Sequence, residues 1–193
     1  VEVTPAWIEP LYNKMQSNEI IAACQPKILD YKNKSYFEHA GAAGGFIDKF
    51  GYPFCRGRLF NSLEQDGGQY NNDVEIFWAT GACMMIRASL YHKQNGFDES
   101  FFAHMEEIDL CWRLKNEGHQ IYFVNNAVVY HLGGGTLSSL SPNKTYLNFR
   151  NNLYLLYKNL PDQFLYRTIF ARMILDGVAF FHFLLSGKLN HGW

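Results

Sequence analysis

Apolar and polar positions change rhythm several times along this chain, and each change marks an element. Val1-Glu-Val-Thr-Pro5 reads as the end of a strand, with Pro5 suited to the first turn of a helix running to about Ser17. Residues 20–24 form a continuous apolar run of strand length, with Pro26 near its end. From 40 to 73 the pattern dissolves into turn signals: glycines at 41, 44 and 45, a Gly51-Tyr-Pro53 turn, Arg56-Gly-Arg58 and Asp66-Gly-Gly68. A stretch that long without a period is either a binding loop or lid, or a disordered surface insertion.

Periodicity returns as a strand at residues 74–78. Gly81-Ala-Cys-Met-Met-Ile-Arg87 then reads as a small-residue turn feeding another strand, and Asn95-Gly-Phe-Asp98 as a turn. Residues 106–116 carry a helical period that stops at Gly118. Two β-branched and aromatic runs, 120–124 and 127–131, read as two strands joined at Asn125-Asn126, and Gly133-Gly-Gly135 with residues 138–142 as loop. After that the pattern is helical. Phe149, Leu153, Leu156, Tyr157 and Leu160 share one face, Pro161-Asp162 breaks the run, and a second stripe follows at Phe170, Met173, Ile174, Gly177, Val178 and Phe181. The longest apolar run, 177–185, is too short to cross a bilayer and is interrupted by His182.

These elements predict an α/β fold: a mixed sheet with flanking helices and a helical C-terminal appendage. Charge divides the chain in the same place. Residues 1–143 hold 11 Lys/Arg against 16 Asp/Glu, and residues 144–193 hold 6 against 2. The basic, aromatic tail could rest on an anionic membrane surface, or could be a helix without its packing partner.

Composition narrows the class. The 193 residues suffice for one core, and 16 Phe, 12 Tyr and 4 Trp with only 18% charged residues argue against disorder. A net charge of −1 supplies no field for nucleic acid. Cys24, Cys55, Cys83 and Cys111 form no CxxC pair and read as reduced thiols of a cytosolic protein. The chain opens mid-strand without Met, so its start is expected to be a cut.

Three places could carry chemistry. On a helix, Glu107 of Glu106-Glu107-Ile108-Asp109 shares a face with Cys111 and Leu114 and so points inward, leaving Glu106 and Asp109 on the flank with Arg113. Asp109 and Arg113 are spaced for an i, i+4 ion pair. Burial and an acidic neighbour disfavour the charged form of Glu107, while the helix N-terminus favours it, a balance that could poise a general base. The plain alternative is that these acids only complement the helix dipole. His131 ends a strand beside a glycine loop, as a metal ligand, a phosphate contact or a satisfied histidine. Trp78-Ala-Thr-Gly81 offers a sugar-binding platform or a core tryptophan. No GxGxxG, Walker A, HExxH, GxSxG or Asp-x-Asp sequence occurs.

In order, Phe77-Trp-Ala-Thr-Gly-Ala-Cys-Met-Met-Ile-Arg87, Gly96-Phe-Asp-Glu-Ser-Phe-Phe102, Glu106-Glu-Ile-Asp-Leu-Cys-Trp-Arg113 and Ala127-Val-Val-Tyr-His-Leu-Gly-Gly-Gly-Thr136 resemble the acceptor half of family 2 inverting glycosyltransferases. The rhamnosyltransferase-like branch with the GT-A fold is the nearest match, and Val1-Glu-Val-Thr-Pro-Ala-Trp7 looks like the segment just after that family's Asp-x-Asp motif. The resemblance implies an acceptor-side half at 1–143, truncated at its N-terminus, and a tail at 144–193.

It implies that Glu107 is the base that deprotonates an acceptor hydroxyl, with Glu106 as the alternative. Asp109 and Arg113 would hold the helix, Trp78 and Gly81 would line the acceptor cleft, and His131 would join the Asp-x-Asp carboxylates on a divalent metal (Mg or Mn). Donor and acceptor would be a nucleotide-sugar and a saccharide or lipid-linked acceptor, in cell-surface polysaccharide synthesis. The enzyme would be cytoplasmic or peripheral on the inner membrane face. Lacking the nucleotide-binding half, residues 1–193 alone are expected to be inactive. A non-catalytic carbohydrate or protein interaction module is the other reading.

Overall fold

A computed structural model describes residues 1–60, 62–133 and 142–186. The loop expected at 134–141 and the end of the tail at 187–193 lie outside the described residues. The elements are β1 (Glu2–Val3), α1 (Ile8–Ser17), β2 (Ile21–Asp30), β3 (Gly45–Ile47), β4 (Pro53–Cys55), β5 (Arg58–Leu59), β6 (Ser62–Leu63), β7 (Val74–Ile76), β8 (Met85–Ile86), α2 (Ala88–Lys93), α3 (Glu106–Asn116), β9 (Gln120–His131), α4 (Pro142–Asn159) and α5 (Asp162–Leu185).

The main sheet is mixed. β9 lies parallel to β2, while β1 and β7 pair antiparallel with opposite ends of β9, and β8 pairs antiparallel with β2. With its flanking helices this is a mixed α/β fold consistent with a partial GT-A-like arrangement. The two strands expected around Asn125-Asn126 are one strand with a bulge. Pro26 pairs with Val124 and Lys27 with Val128, so residues 125–127 leave the ladder. Proline has no N–H to give a ladder there, and the backbone N–H of Asn125 donates to Asp73 Oδ1 at 3.0 Å. The strand expected at 20–24 likewise continues to Asp30.

The segment at 40–73 is ordered, which corrects the disordered-insertion expectation. Its hairpins are β3–β4 and β5–β6, and Ala42, Ala43 and Cys55 are buried in the main core beside Phe37. Buried Lys27 anchors its far end, with Nζ 2.7 Å from both Asp66 Oδ2 and Asn71 Oδ1. A second, smaller core joins α1 to the sheet through Leu11, Met15, Ile21 and Val124.

The C-terminal helices pack on the body, with Leu155 and Leu156 of α4 in the main core beside Ile108 and Leu110 of α3. The packed face of α4 is Leu147, Asn151, Asn152, Leu155, Leu156 and Asn159, rotated from the apolar face expected through Leu153 and exposed Tyr157. α5 corrects the bilayer expectation: it is 24 residues long and apolar enough to cross a membrane, an 18-residue window within it reaching a mean hydropathy of 1.6. It packs through Leu165 and Arg172 and leaves Phe170, Met173, Ile174, Val178 and Phe181 exposed.

Candidate functional site

The site is built around the start of α3. Three non-glycine residues with positive φ lead into it: Phe102 (62°), His104 (69°) and Met105 (74°). Each costs roughly 1–3 kcal/mol unless its surroundings over-determine it. Those surroundings come from α4. Asn151 Nδ2 faces the carbonyls of Phe101, Ala103 and His104 at 2.9, 2.8 and 2.7 Å, and Arg150 Nη2 donates to the carbonyls of Ser100 and Phe101 at 3.1 and 3.0 Å.

Glu106 and Glu107 follow as the first residues of α3, both half-buried, and Oε2 of each is enclosed with no hydrogen-bond partner among the described residues. Burial, and then the neighbouring charge of Glu106, push the Glu107 carboxyl up to about 7. The nearby backbone amides of Glu107, Gly81 and Met105 favour the charged carboxylate and oppose that rise. At neutral pH the group therefore exists in both protonation states, as a proton acceptor requires.

Asp109 and Arg113 form the expected ion pair, Nε to Oδ2 at 2.8 Å, but Asp109 is not on a flank. It is fully buried because α4 covers it: Lys158 Nζ lies 2.9 Å from Oδ2 and Asn159 Nδ2 donates to Oδ1 at 2.8 Å. Lys158 also reaches Asp98 Oδ2 at 2.6 Å, and this contact holds the Asp98 carboxyl far below the usual carboxylate range. Arg113 continues to the carbonyls of Gln94 and Gly96 at 2.6 and 2.9 Å.

Gly81 lies against Glu107. Trp78 lies in the core at 6% exposure, where its indole N–H donates to the carbonyl of Phe46 at 2.8 Å. Its ring leaves no room for a side chain at Gly45, so it presents no open platform. His131 faces a different acid, its Nδ1 lying 3.1 Å from Oε2 of buried Glu38.

Sequence reasoning missed Glu38 and Gln25. Burial raises the Cys55 thiol first, and the charges of Glu107 and Glu38 add to that rise. Gln25, fully buried, accepts from the Thr80 N–H at 3.0 Å and donates to the Gly41 carbonyl at 3.1 Å. It thereby ties the 40–45 turn to the segment that carries Gly81. A polar residue inside the apolar run of β2 was the available signal for Gln25; Glu38, in an unpatterned segment, left none.

Among the described residues no group of three or more His, Cys, Asp or Glu side chains gathers in a form that could hold a metal. Glu38 and His131 supply one carboxylate and one imidazole, and no third such side chain joins them among the described residues. The described residues therefore do not by themselves fit the metal that the resemblance implies. A cleft of about 640 Å³ lined by Glu9, Lys14, Asp73 and Asn126 contains none of the candidate residues.

No family model matches the chain. Among curated proteins it is similar to the rhamnosyltransferase WbbL of Escherichia coli K12, 38% identical over 53 residues, covering 28% of this chain and 20% of that protein. It is 39% identical over 56 residues to an N-acetylglucosaminyl-diphospho-decaprenol L-rhamnosyltransferase of Mycobacterium tuberculosis, covering 29% and 18%. A third relative is the low-salt glycan biosynthesis hexosyltransferase Agl10 of Haloferax volcanii, 36% identical over 72 residues, covering 36% and 24%. The matching segments thus span about a fifth of these relatives' own lengths. Together the similarities support a glycosyltransferase family for this chain.

Proposed function

We propose that this chain is the acceptor side of an inverting glycosyltransferase in which Glu107 is the general base. The observation that carries the reading is the Glu107 carboxyl, pressed against Gly81 and poised near neutrality by burial and Glu106. In the reaction an acceptor hydroxyl gives its proton to Glu107 as its oxygen bonds to the anomeric carbon of a nucleotide-sugar. The bond from that carbon to the diphosphate breaks on the opposite side, so configuration inverts and the nucleoside diphosphate leaves. Glu106 is the alternative acceptor of the proton. Asp109 and Arg113 hold α3, and Gly81 borders the acceptor's place. Trp78 supports that wall from within the core.

A divalent cation enters this reading only with an Asp-x-Asp segment, which residues 1–193 lack. Residues 1–193 alone then bind nucleotide weakly and transfer no sugar. Titration with uridine and thymidine diphosphates plus magnesium or manganese tests this, and micromolar binding would contradict it. In the full-length protein, Glu107→Gln abolishes turnover while sparing acceptor binding; retained turnover moves the base to Glu106 or favours an interaction module.

The substrate class follows from the relatives, two of which are named for rhamnosyl transfer, one of these to a polyprenol-linked sugar. A hexosyl or deoxyhexosyl donor and a saccharide or lipid-linked acceptor fit, in surface polysaccharide synthesis on the cytoplasmic side. The exposed apolar stripe of α5, on a basic tail, suits peripheral contact with the membrane that carries such an acceptor.

A further inference from the structure

α4 presents two adjacent asparagines to the interior, Asn151 fully buried and Asn152 nearly so. Burying amides without partners is costly, and both are heavily used. Asn151 Nδ2 faces three successive carbonyl acceptors in the 101–104 segment, and Asn152 Nδ2 donates to the Gly51 carbonyl at 2.7 Å and contacts Met105 Sδ at 3.7 Å. The Asn152 carbonyl in turn accepts from Arg172 of α5, whose Nη1 also donates to the Phe50 carbonyl at 3.2 Å. That guanidinium fixes the Asn152 amide orientation, because only its oxygen can accept from a cation.

The segment they hold is the one that most needs holding. Phe102, His104 and Met105 all adopt backbone conformations that side-chain-bearing residues avoid, and Met105 is the residue before Glu106 and Glu107. The N-cap, Met105, makes no side-chain capping bond, so α3 receives no such help in fixing its first turn. We propose that Asn151 and Asn152 are positioning residues: they lock the 102–105 segment and thereby set where the Glu107 carboxyl stands against Gly81. The proposal rests on Glu107 as the base for its functional meaning, but its test reads the carboxyl and the backbone, not turnover.

The experiment uses the full 193-residue chain with ¹³C-labelled glutamate, titrated by NMR, with Glu107 assigned by loss of its signal in Glu107→Gln. In the unsubstituted chain Glu107 titrates near 7. Asn151→Ala lowers the midpoint by a unit or more, a tenfold change in proton affinity, because the released segment lets water reach the carboxyl. Asn151→Ser, which keeps one donor, gives a smaller drop and serves if the alanine variant does not fold. Leu11→Ala, in the separate core under α1, is the stability control and leaves the midpoint in place.

Amide hydrogen exchange at residues 103–107 is the second readout, expected at least tenfold faster in Asn151→Ala than in Leu11→Ala. An unmoved midpoint together with unchanged exchange in folded Asn151 variants, or equal changes in Leu11→Ala, overturns the proposal. Exchange that accelerates here while turnover of the full-length protein survives Glu107→Gln leaves the lock standing and removes only the catalytic assignment.

Discussion

Gly81 lies directly against Glu107: a Cβ built on the glycine would stand 3.9 Å from the Glu107 Cβ and 4.0 Å from its carboxyl carbon. With no side chain of its own, Gly81 brings its backbone amide to the carboxylate. The contact joins the segment after β7 to the first turn of α3, two stretches the sequence separates by 25 residues.

The glycines around that contact are not equivalent. At Gly81 the added methyl meets only ordinary contacts, so Gly81→Ala should change stability by no more than about 0.5 kcal/mol. At Gly45 it would fall 2.2 Å from the Trp78 ring, so Gly45→Ala should cost roughly 1–3 kcal/mol, the usual range for overpacking. Urea unfolding of the two variants separates these values. Equal stabilities would mean that Trp78 is not wedged against β3.

Glu107 also makes stability depend on pH. Its folded pKa, about 7, lies above the ordinary 4.5, so the folded state holds the proton more tightly than the unfolded one. The stability this gives is complete below about pH 4.5 and is lost as pH rises through 7. The shift corresponds to about 3 kcal/mol. Glu107→Gln, which cannot ionise, should therefore stabilise the chain at pH 8 by up to that amount and hardly at all at pH 4. Thermal melts at both pH values check the sign.

Asp109 is a hub, with Arg113 on its own helix and Lys158 and Asn159 on α4 sharing one carboxylate. Removing it takes the shared buried carboxylate from two cations, leaving Lys158 with Asp98 and Arg113 with the carbonyls of Gln94 and Gly96. Asp109→Ala should lose about 3–5 kcal/mol, read as a lower urea midpoint with the slope unchanged. Little or no loss would show that α3 and α4 are held by their apolar contacts alone.

On α5 the polar and apolar faces are inverted relative to a surface helix. Arg172 is buried against Asp176, Asn152 and the Tyr52 ring, while Phe170 and Phe181 are 67% and 64% exposed. Phe170→Glu with Phe181→Glu should leave stability within about 1 kcal/mol and abolish flotation with anionic liposomes. Undiminished flotation would remove the membrane role from this face.

Strong periods make much of this fold legible in the sequence. Residues 106–116 are the helix the sequence predicts, and the Asp109–Arg113 pair follows from helical spacing alone. What escaped was polar burial. The packed face of α4 is set by Asn151, Asn152 and Asn159, whose amides satisfy carbonyls and a carboxylate, so a hydrophobic stripe points to the wrong side of the helix. Helical spacing alone puts Asp109 on the flank, because the helix that covers it begins more than 30 residues later.

The 40–73 segment escaped for a related reason. Its order comes from tertiary bonds such as Lys27 to Asp66, not from a local period. The bulge at 125–127 depends on the partner strand's Pro26, which no reading of β9 alone reveals.

The central claim is that Glu107 takes the acceptor proton, and its most direct test is the pH dependence of kcat/KM in the full-length protein. The account predicts a limb rising through about pH 7, and a fall of about 10²–10⁴-fold in rate for Glu107→Gln with that limb gone. A limb near 4.5, or an unchanged profile in Glu107→Gln, would contradict it.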